Sequence, residues 1–585
     1  MILQALVEYY DRATGLAPEG WEWKRIPFFI EIAQDGRFLQ LSDMRNGPKV
    51  SDVKPLLVPK SEIRSGTKSY EKPNTLWDHY GFVLGVAKTD KPADQETSKR
   101  QLAYFHNRIR SLRLALPENK RLLAIDAFYE KAEYQQALVD PLWKDCSKIP
   151  GCNLTFRISG DVAPVLSDQN IRDSITTTHA EHSPEGTREG ICLVTGLHTK
   201  IQQLHFPVAG VCEKPAPLSS INDGACPAFA SFGKAQGFNF PVGTEAAFKY
   251  STALSHLLGQ NSRQRFRIGE SIAVFWAQKE VPEAEDGFAA VFGEQDDPDA
   301  RTAQVRSLLN AINSGQFDGG RGKTLFYILG LAPNVARISV RFWHAAPLHE
   351  IARQIRQWFA DLKVVRSAKD PEYPSLFRLL AACAQQGKAD NIPPNLGGDI
   401  MRAILSGSPF PATWLNAAVL RCRAEQNVTY LRAAAIKASL NRLQRFQPNQ
   451  SLDKELSDML DLENTSPAYR LGRLFAALEK IQEEASPGLN ATIRERYYGA
   501  ASSTPVAVFT TLLRLKNHHL AKLTNRGRAI NFERLLGEIM GGLNDFPKHL
   551  SLPEQGRFAL GYYHQRQDFF STPSKSMQFT QGESK

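Results

Sequence analysis

The feature that most constrains this chain is a change of rhythm near Pro347. Up to about residue 345, short alternating segments rich in Gly, Pro, Val and Phe dominate, with helical pieces near 97–116, 121–139, 245–258 and 301–313 between them. From Pro347 onward the apolar period becomes helical, in LHEIARQIRQWFADL (348–362) and again over 428–445, 470–485, 506–523 and 531–543. In 470–485, Leu471, Leu474, Phe475, Leu478 and Ile481 form one stripe. Pro393-Pro394, Pro409–Pro411, Pro448, Pro487-Gly488 and Phe546-Pro547 read as helix stops. A chain broken in this way is expected to fold as α+β. The expected parts are a mixed α/β N-terminal domain (1–345), a helical connector (346–400) and an α-helical bundle (401–585).

Local signals refine the first half. Ile2, Leu3, Leu6, Val7 and Tyr10 recur at helical spacing. IPFFIEI (26–32) and FLQL (38–41), separated by Gln34-Asp35-Gly36, predict a β-hairpin. The tail after Ser571 is polar and predicted to be loose.

Several classes are unfavoured. With 585 residues, the chain is too long for one ordinary core. The densest apolar run, LFYILGLA (325–332), falls far short of the ~20 residues that span a bilayer, so no membrane partner is expected. Glu8 and Asp11 interrupt the opening apolar stretch, which does not read as a signal peptide. Seven cysteines without a CxxC fit a reducing cytoplasm. No GxxxxGK[ST], HExxH, GxSxG or helicase box occurs, so no catalytic residue and no cofactor is assigned. His518-His519 read as surface or cap residues. Cys192, His198, His205 and Cys212, with Cys226 beyond, have zinc-compatible side chains at spacings looser than a zinc knuckle, and buried thiols with satisfied histidines are the preferred reading.

The formal charge of +10 permits a polyanionic partner. Lys99, Arg100, Arg108, Arg110, Arg113, Lys120 and Arg121 face only Glu118 in their stretch, with Tyr104 and Phe105 interleaved, and read either as a solvated helix face or as a phosphate track. Over 428–445, Lys437, Arg442 and Arg445 lie opposite Ile436, Leu440 and Leu443, again as a solvated or nucleic-acid-facing stripe. Two loops have the composition of groove readers. SGTKSYEKPNTLWDH (65–79) offers Lys68, Lys72 and Asn74; SFGKAQGFNF (231–240) offers Lys234, Gln236 and Asn239. Lysines and amides hydrogen-bond minor-groove acceptors, and glycine admits a close sugar-phosphate rail. Two structural turns are the plainer alternative.

The opening MILQALVEYYDR and GWEWKRIPFFIEIAQDGRFLQLSDMR resemble the start of the large subunit of the type I-C CRISPR surveillance complex, Cascade. KPNTLWDHYGFVLG (72–85), ICLVTG (191–196), SFGKAQGFNFPVGTEAAFKYSTALSHLL (231–258), SIAVFWA (271–277) and ISVRFWH (338–344) continue the resemblance. So do PPNLGGDIMRAILSGSPFP (393–411), TYLRAAAIKASLNR (429–442), YRLGRLFAALEKIQEEA (469–485), LNATIRERYYGAAS (489–502) and LSLPEQGRFALGYYHQRQDFF (550–570). NFPVG (239–243) departs from the Asn-Ala-Pro-Val-Ser more usual there.

This resemblance implies a non-catalytic, cytoplasmic recognition subunit. Its implied partners are a crRNA-bearing complex with repeated backbone, crRNA-end-binding and small subunits, target double-stranded DNA, and a helicase-nuclease. The implied task is to read the short protospacer-adjacent motif (PAM) and promote strand opening, while guide pairing reads the rest. Assigning PAM probing to the two loops, with Gln236 as the wedge at the first unpaired step, is a physical inference from their composition. The resemblance further implies a small subunit made from an internal start in this reading frame; Met459 is the first candidate and Met401 the second, with ordinary methionines as the plainer alternative. The alternatives are a metal-dependent nucleic-acid enzyme built on the Cys192–Cys212 cluster, and a pure scaffold of the complex.

Overall fold

A computed structural model of the chain describes residues 1–64, 68–181, 188–221, 234–260, 262–292, 298–315, 320–334, 337–446 and 455–570. Two compact units result, Met1–His256 and Leu257–Lys585. None of the described helices is long and apolar enough to cross a membrane.

The first unit begins with helix α1 (Ile2–Arg12), as the opening periodicity predicts. Strands β1 (Trp21–Lys24) and β4 (Leu56–Pro59) pair antiparallel as a ribbon. The main sheet combines β2 (Phe28–Ile32), β3 (Phe38–Asp43), β5 (Trp77–His79) and β6 (Asn153–Ile158) in the order β3-β2-β6-β5. The Asp-Gly hairpin between β2 and β3 forms as predicted. The β2–β6 pair is parallel, so the chain must cross over between them. Helices α2 (Tyr80–Val83), α3 (Pro92–Ala115), α4 (Lys120–Glu130) and α5 (Trp143–Ser147) lie in that crossover. Phe28, Ile30, Phe105, Ile125, Phe128 and Phe156 join one core between sheet and helices. Helix α6 (Gln169–Glu181), the hairpin β7 (Arg188–Ile191) and β8 (His198–Ile201), the two-residue strands β9 (Pro207–Val208) and β10 (Ala216–Pro217), and α7 (Thr244–Leu257) follow.

The second unit starts with an antiparallel sheet of β11 (Arg265–Ile268), β12 (Ser271–Ala277), β13 (Leu325–Asn334) and β14 (Arg337–Pro347), paired in chain order. The apolar run LFYILGLA is the interior strand β13. Helices α8 (Pro282–Phe292) and α9 (Pro298–Asn313) complete its α+β part, with Phe266, Phe275, Phe288 and Phe326 clustered at ring distances of 4.8–6.0 Å. The helices after Pro347 are α10 (Leu348–Leu362), α11 (Leu376–Cys383), α12 (Leu396–Ser406), α13 (Ala412–Ala424), α14 (Tyr430–Phe446), α15 (Pro467–Ala485), α16 (Ile493–Ala501), α17 (Val506–Lys522), α18 (Arg526–Met540) and α19 (Leu552–Asp568). Their apolar faces share one core with the sheet. The compositional change at Pro347 therefore falls inside this unit. Helices α15 and α19 cross so closely that a Cβ on Gly472 would lie 2.1 Å from the Phe558 carbonyl oxygen, and one on Gly561 would lie 2.0 Å from that of Tyr469.

Helix α14 corrects a sequence expectation. Lys437 and Arg442 are each only 2% exposed. The Arg442 guanidinium donates twice to Asp361 Oδ2, at 2.9 and 2.6 Å, and also to the carbonyls of Ala403 and Ser408. Arg445 donates to the other oxygen of Asp361 and pairs with Glu455 at 2.8 Å. Lys437 donates to the carbonyls of Ala360 and Asp361 at the end of α10 and pairs with Asp458 at 3.0 Å. The stripe is interior because α14 is buried on every side over most of its length: Ala433, Ala434, Ala435 and Ala438 let neighbours approach it closely. Lys437 and Arg442 are interior and present no basic face, whereas Arg445, at the end of α14, is exposed and reaches back to Asp361.

Removing one partner of a buried pair leaves an uncompensated charge. Asp361→Asn is expected to destabilise the protein by about 3–5 kcal/mol in urea unfolding, with Asp361→Leu/Arg442→Met costing less than the sum of its single changes.

Candidate nucleic-acid interface

The second loop, through Gln236, and the segment just before the first loop border one cleft in the first unit. Its volume is about 650 Å³, and Ile63, Arg64, Gln203 and Gln236 are in its wall. Residues 65–67 of the first loop, 231–233 of the second, and Cys226 lie outside the described residues.

The first loop is pinned from within. Asn74 is 4% exposed, its side-chain oxygen accepts from the Glu62 amide at 2.9 Å, and its own amide donates to Asp78 Oδ2 at 2.9 Å. This corrects the expectation that Asn74 reads a groove: in this structure its side chain closes the loop. Leu76, fully buried, takes a left-handed backbone at φ 65° as the chain turns into β5. Arg64, which sequence reasoning passed over, ion-pairs with Asp78, donates to the Lys72 carbonyl at 2.8 Å and stacks over Phe82. Lys72 donates to the Ile63 carbonyl at 3.2 Å from an exposed position, and Lys68 is exposed.

Helix α3 carries the basic track alongside this loop. Arg108 donates to the Thr75 hydroxyl at 3.1 Å and lies 3.7 Å from Glu62. Tyr70 packs against Tyr104, and the Arg100 guanidinium lies over the Tyr70 ring. Not every cation on the helix faces solvent. Arg113 pairs at 2.9 Å with Asp126, which is 2% exposed and also bonds His106 at 2.8 Å. Arg110 is exposed and within 3.4 Å of Glu130. Lys99 is exposed, and Arg100 has Glu96 one turn away at 3.2 Å. Arg121, beyond the helix, pairs with Asp161 and Asp168.

The second loop is held by a strained backbone. Gln236 sits at φ 46°, in a region that L side chains disfavour. Gly237 follows it so close to the neighbouring chain that a Cβ there would come within 2.4 Å of the Gln202 carbonyl. The Asn239 amide nitrogen donates to the carbonyls of Lys234 and Gln236 at 2.9 and 3.0 Å. Asn239 is therefore a staple of its own turn through its nitrogen, while its side-chain oxygen has no partner among the described residues. The Gln236 side-chain oxygen Oε1 accepts from Gln203 Nε2 at 3.0 Å. No local sequence signal marks Gln203, which reaches this position only through folding. Lys234 is exposed.

The cysteine–histidine residues serve other contacts. Cys192 Sγ accepts from the Gly243 and Val194 amides at 3.2 and 3.4 Å. Burial pushes its thiol up, and those hydrogen bonds, led by Gly243, outweigh that and leave it below its ordinary value. His198 is on β8, 3.9 Å from Glu189, and His205 Nδ1 meets the Tyr250 hydroxyl at 2.6 Å. Among the described residues, no group of three or more His, Cys, Asp or Glu side chains could hold a metal ion.

The sequence matches the family described as CRISPR-associated protein (Cas_Csd1) over residues 6–570. No curated protein matches it.

The loop geometry gives a direct test of the buried asparagine. Asn74→Ala leaves the Glu62 N–H without its acceptor and is expected to cost about 1–3 kcal/mol. The measurement is hydrogen exchange, which should accelerate at residues 62–64 and 74–79.

Proposed function

This chain belongs to the Cas_Csd1 family of CRISPR-associated proteins, and on that premise we propose that it is the non-catalytic large subunit of a type I-C Cascade that grips target DNA and reads its PAM. One observation carries the DNA-facing part: Arg108 ties the cationic helix α3 to the Lys68–Asn74 loop through Thr75, so two basic features share one surface. The cleft beside them, with Gln236 on its wall, supplies the second loop.

In this reading Lys99, Arg100 and Arg110 hold the duplex through its phosphates, displacing counterions. Lys68, Lys72 and Lys234 approach the PAM from the minor groove, where lysines reach base-edge acceptors. Gln236 enters at the first opened step. Unstacking there costs a few kcal/mol, which guide pairing and new protein contacts offset. Backbone, crRNA-end-binding and small subunits complete the particle, and a helicase-nuclease cleaves the target elsewhere. The buried Lys437 and Arg442 of α14 take no part in holding DNA.

A small subunit started at Met459 also fits this reading. Met459 is 64% exposed and precedes α15, so the Met459–Lys585 product would retain α15 through α19. A Met459→Leu codon change is expected to abolish the small band on a gel; its persistence at the same mass removes this start site.

The DNA assignment is tested by binding assembled complex to PAM-bearing and scrambled-PAM duplexes across salt concentrations. Lys99→Ala/Arg100→Ala is expected to weaken binding to both duplexes and lower the salt slope by about 1 per cation removed. Gln236→Ala and Lys234→Ala are expected to reduce the preference for the PAM duplex at least fivefold. Unchanged preference in both discards the loop, and salt-independent binding favours a pure scaffold.

A further inference from the structure

The cleft beside Gln236 has polar chemistry that neither the fold nor the duplex-gripping surface uses. His205 is 95% buried in its wall, being 5% exposed. Its Nδ1 is engaged by the Tyr250 hydroxyl at 2.6 Å and the Gln202 backbone also interacts with the ring, while its Nε2 makes no well-formed hydrogen bond to the described residues. Thr252, also in the wall, has a hydroxyl that is likewise unpartnered among them. Ser255 follows at i+3 on the same face of α7 and lines the cleft too. Buried polar atoms without partners are uncommon, and each one calls for a water, an ion or a ligand.

The rest of the wall has the complementary parts of a nucleotide site. Lys60 Nζ lies over the rings of Phe206 and Phe248 at 5.1 and 5.4 Å, with Glu22 at 3.8 Å. Burial, more than the opposing pull of Glu22, holds this ammonium below its ordinary value, so a second anion is welcome there. Trp23, 52% exposed, presents an aromatic surface in the same wall. Burial also lowers His205 to about 4, so the imidazole is neutral at pH 7. The Tyr250 hydroxyl meets Nδ1 and the Gln202 backbone also acts on the ring, so Nε2 and the Thr252 hydroxyl are the atoms left to meet the edge of a base. At about 650 Å³ the cleft is within the roughly 300–1,000 Å³ of small-ligand sites.

We propose that this cleft is a capture site for one unpaired DNA nucleotide, the first base displaced from the target duplex, with its base against His205 and Thr252 and its phosphate toward Lys60. The inference rests on the DNA-reading function above and deepens it. Gln236 opens the first step, and the cleft receives what is opened. Holding the extruded base keeps the duplex from reclosing while the guide begins to pair.

The test uses the full chain in its assembled complex with guide RNA. The probe is a PAM-bearing duplex with 5-iodouracil at the first displaced position, compared with the same label four positions further along. After irradiation, crosslinked peptides are mapped by mass spectrometry, and duplex binding is followed separately by gel shift. The expected result is crosslinking to peptides containing His205 or Trp23 from the first position only, reduced at least fivefold by Thr252→Val and, independently, by Lys60→Met. Crosslinks that map outside the cleft while PAM-dependent binding is normal overturn the capture site and leave the DNA-reading function standing. Binding indifferent to the PAM, without cleft crosslinks, overturns both.

Discussion

The interior of the second unit depends on one buried carboxylate. Asp361, 2% exposed near the end of α10, receives Arg442 and Arg445 from α14. An isolated charge in such a place would be prohibitively costly, so the whole neighbourhood is arranged around it. Arg442 sends its remaining donors to carbonyls at Ala403 and Ser408, and its guanidinium lies 4.6 Å from the Phe410 ring centre. Arg445 reaches outward to Glu455, and Lys437 to Asp458. The Asn441 side chain bonds the Leu456 backbone in both directions, at 2.8 and 2.7 Å. The network therefore fixes α14 against α10 and seats the segment that leads toward α15. It also explains why Lys437 and Arg442, cations in the middle of the bundle, are withheld from the protein's surface.

That network marks where sequence reading stops. The amphipathic helices, the Asp-Gly hairpin, the opening helix and the α+β class were legible because each has a local period or turn signal. Burial of a charged stripe has no such signal. On a peripheral helix, Lys437, Arg442 and Arg445 would face water; on a central helix, the same spacing points into neighbours. The clue was the small-residue run Ala433–Ala435 with Ala438, which permits close approach on every side, and it outweighs the charges. The unit boundary was illegible for a related reason. Strands β11–β14 look like the first half by composition, but their core is completed by helices that follow them, and composition does not report which surfaces meet.

The candidate interface shows the same division at the scale of single side chains. Sequence composition located the two loops and the cationic helix. It could not separate the residues that build them from those that face outward. Asn74 and Asn239 are short amides that satisfy backbone groups of their own loop or of the segment beside it, and in tight loops that use takes precedence over exposure. Arg113 and Arg108 likewise anchor helix α3, to Asp126 and to Thr75. Exposed lysines keep their charge available to a partner even where, as at Lys72, the ammonium also meets a backbone carbonyl. The surface left for a polyanion is thus smaller than the sequence count implies, but better ordered, because the anchored residues hold it in place.

Gln236 is where this ordering becomes specific. A left-handed backbone costs a non-glycine residue roughly 1 kcal/mol or more, and glycine would adopt it freely. The turn is nonetheless over-determined by the close approach of Gly237 to the Gln202 carbonyl and by the Asn239 staple. Strain that the surroundings impose on one residue is informative about that residue's side chain, since a backbone requirement alone would favour glycine. Here the side chain is an amide at the wall of a cleft, and its oxygen meets Gln203. The amide nitrogen is the part of the group that this contact does not use. A rigid turn that presents an amide beside an imidazole nitrogen and a hydroxyl without well-formed hydrogen bonds is arranged for a polar ligand.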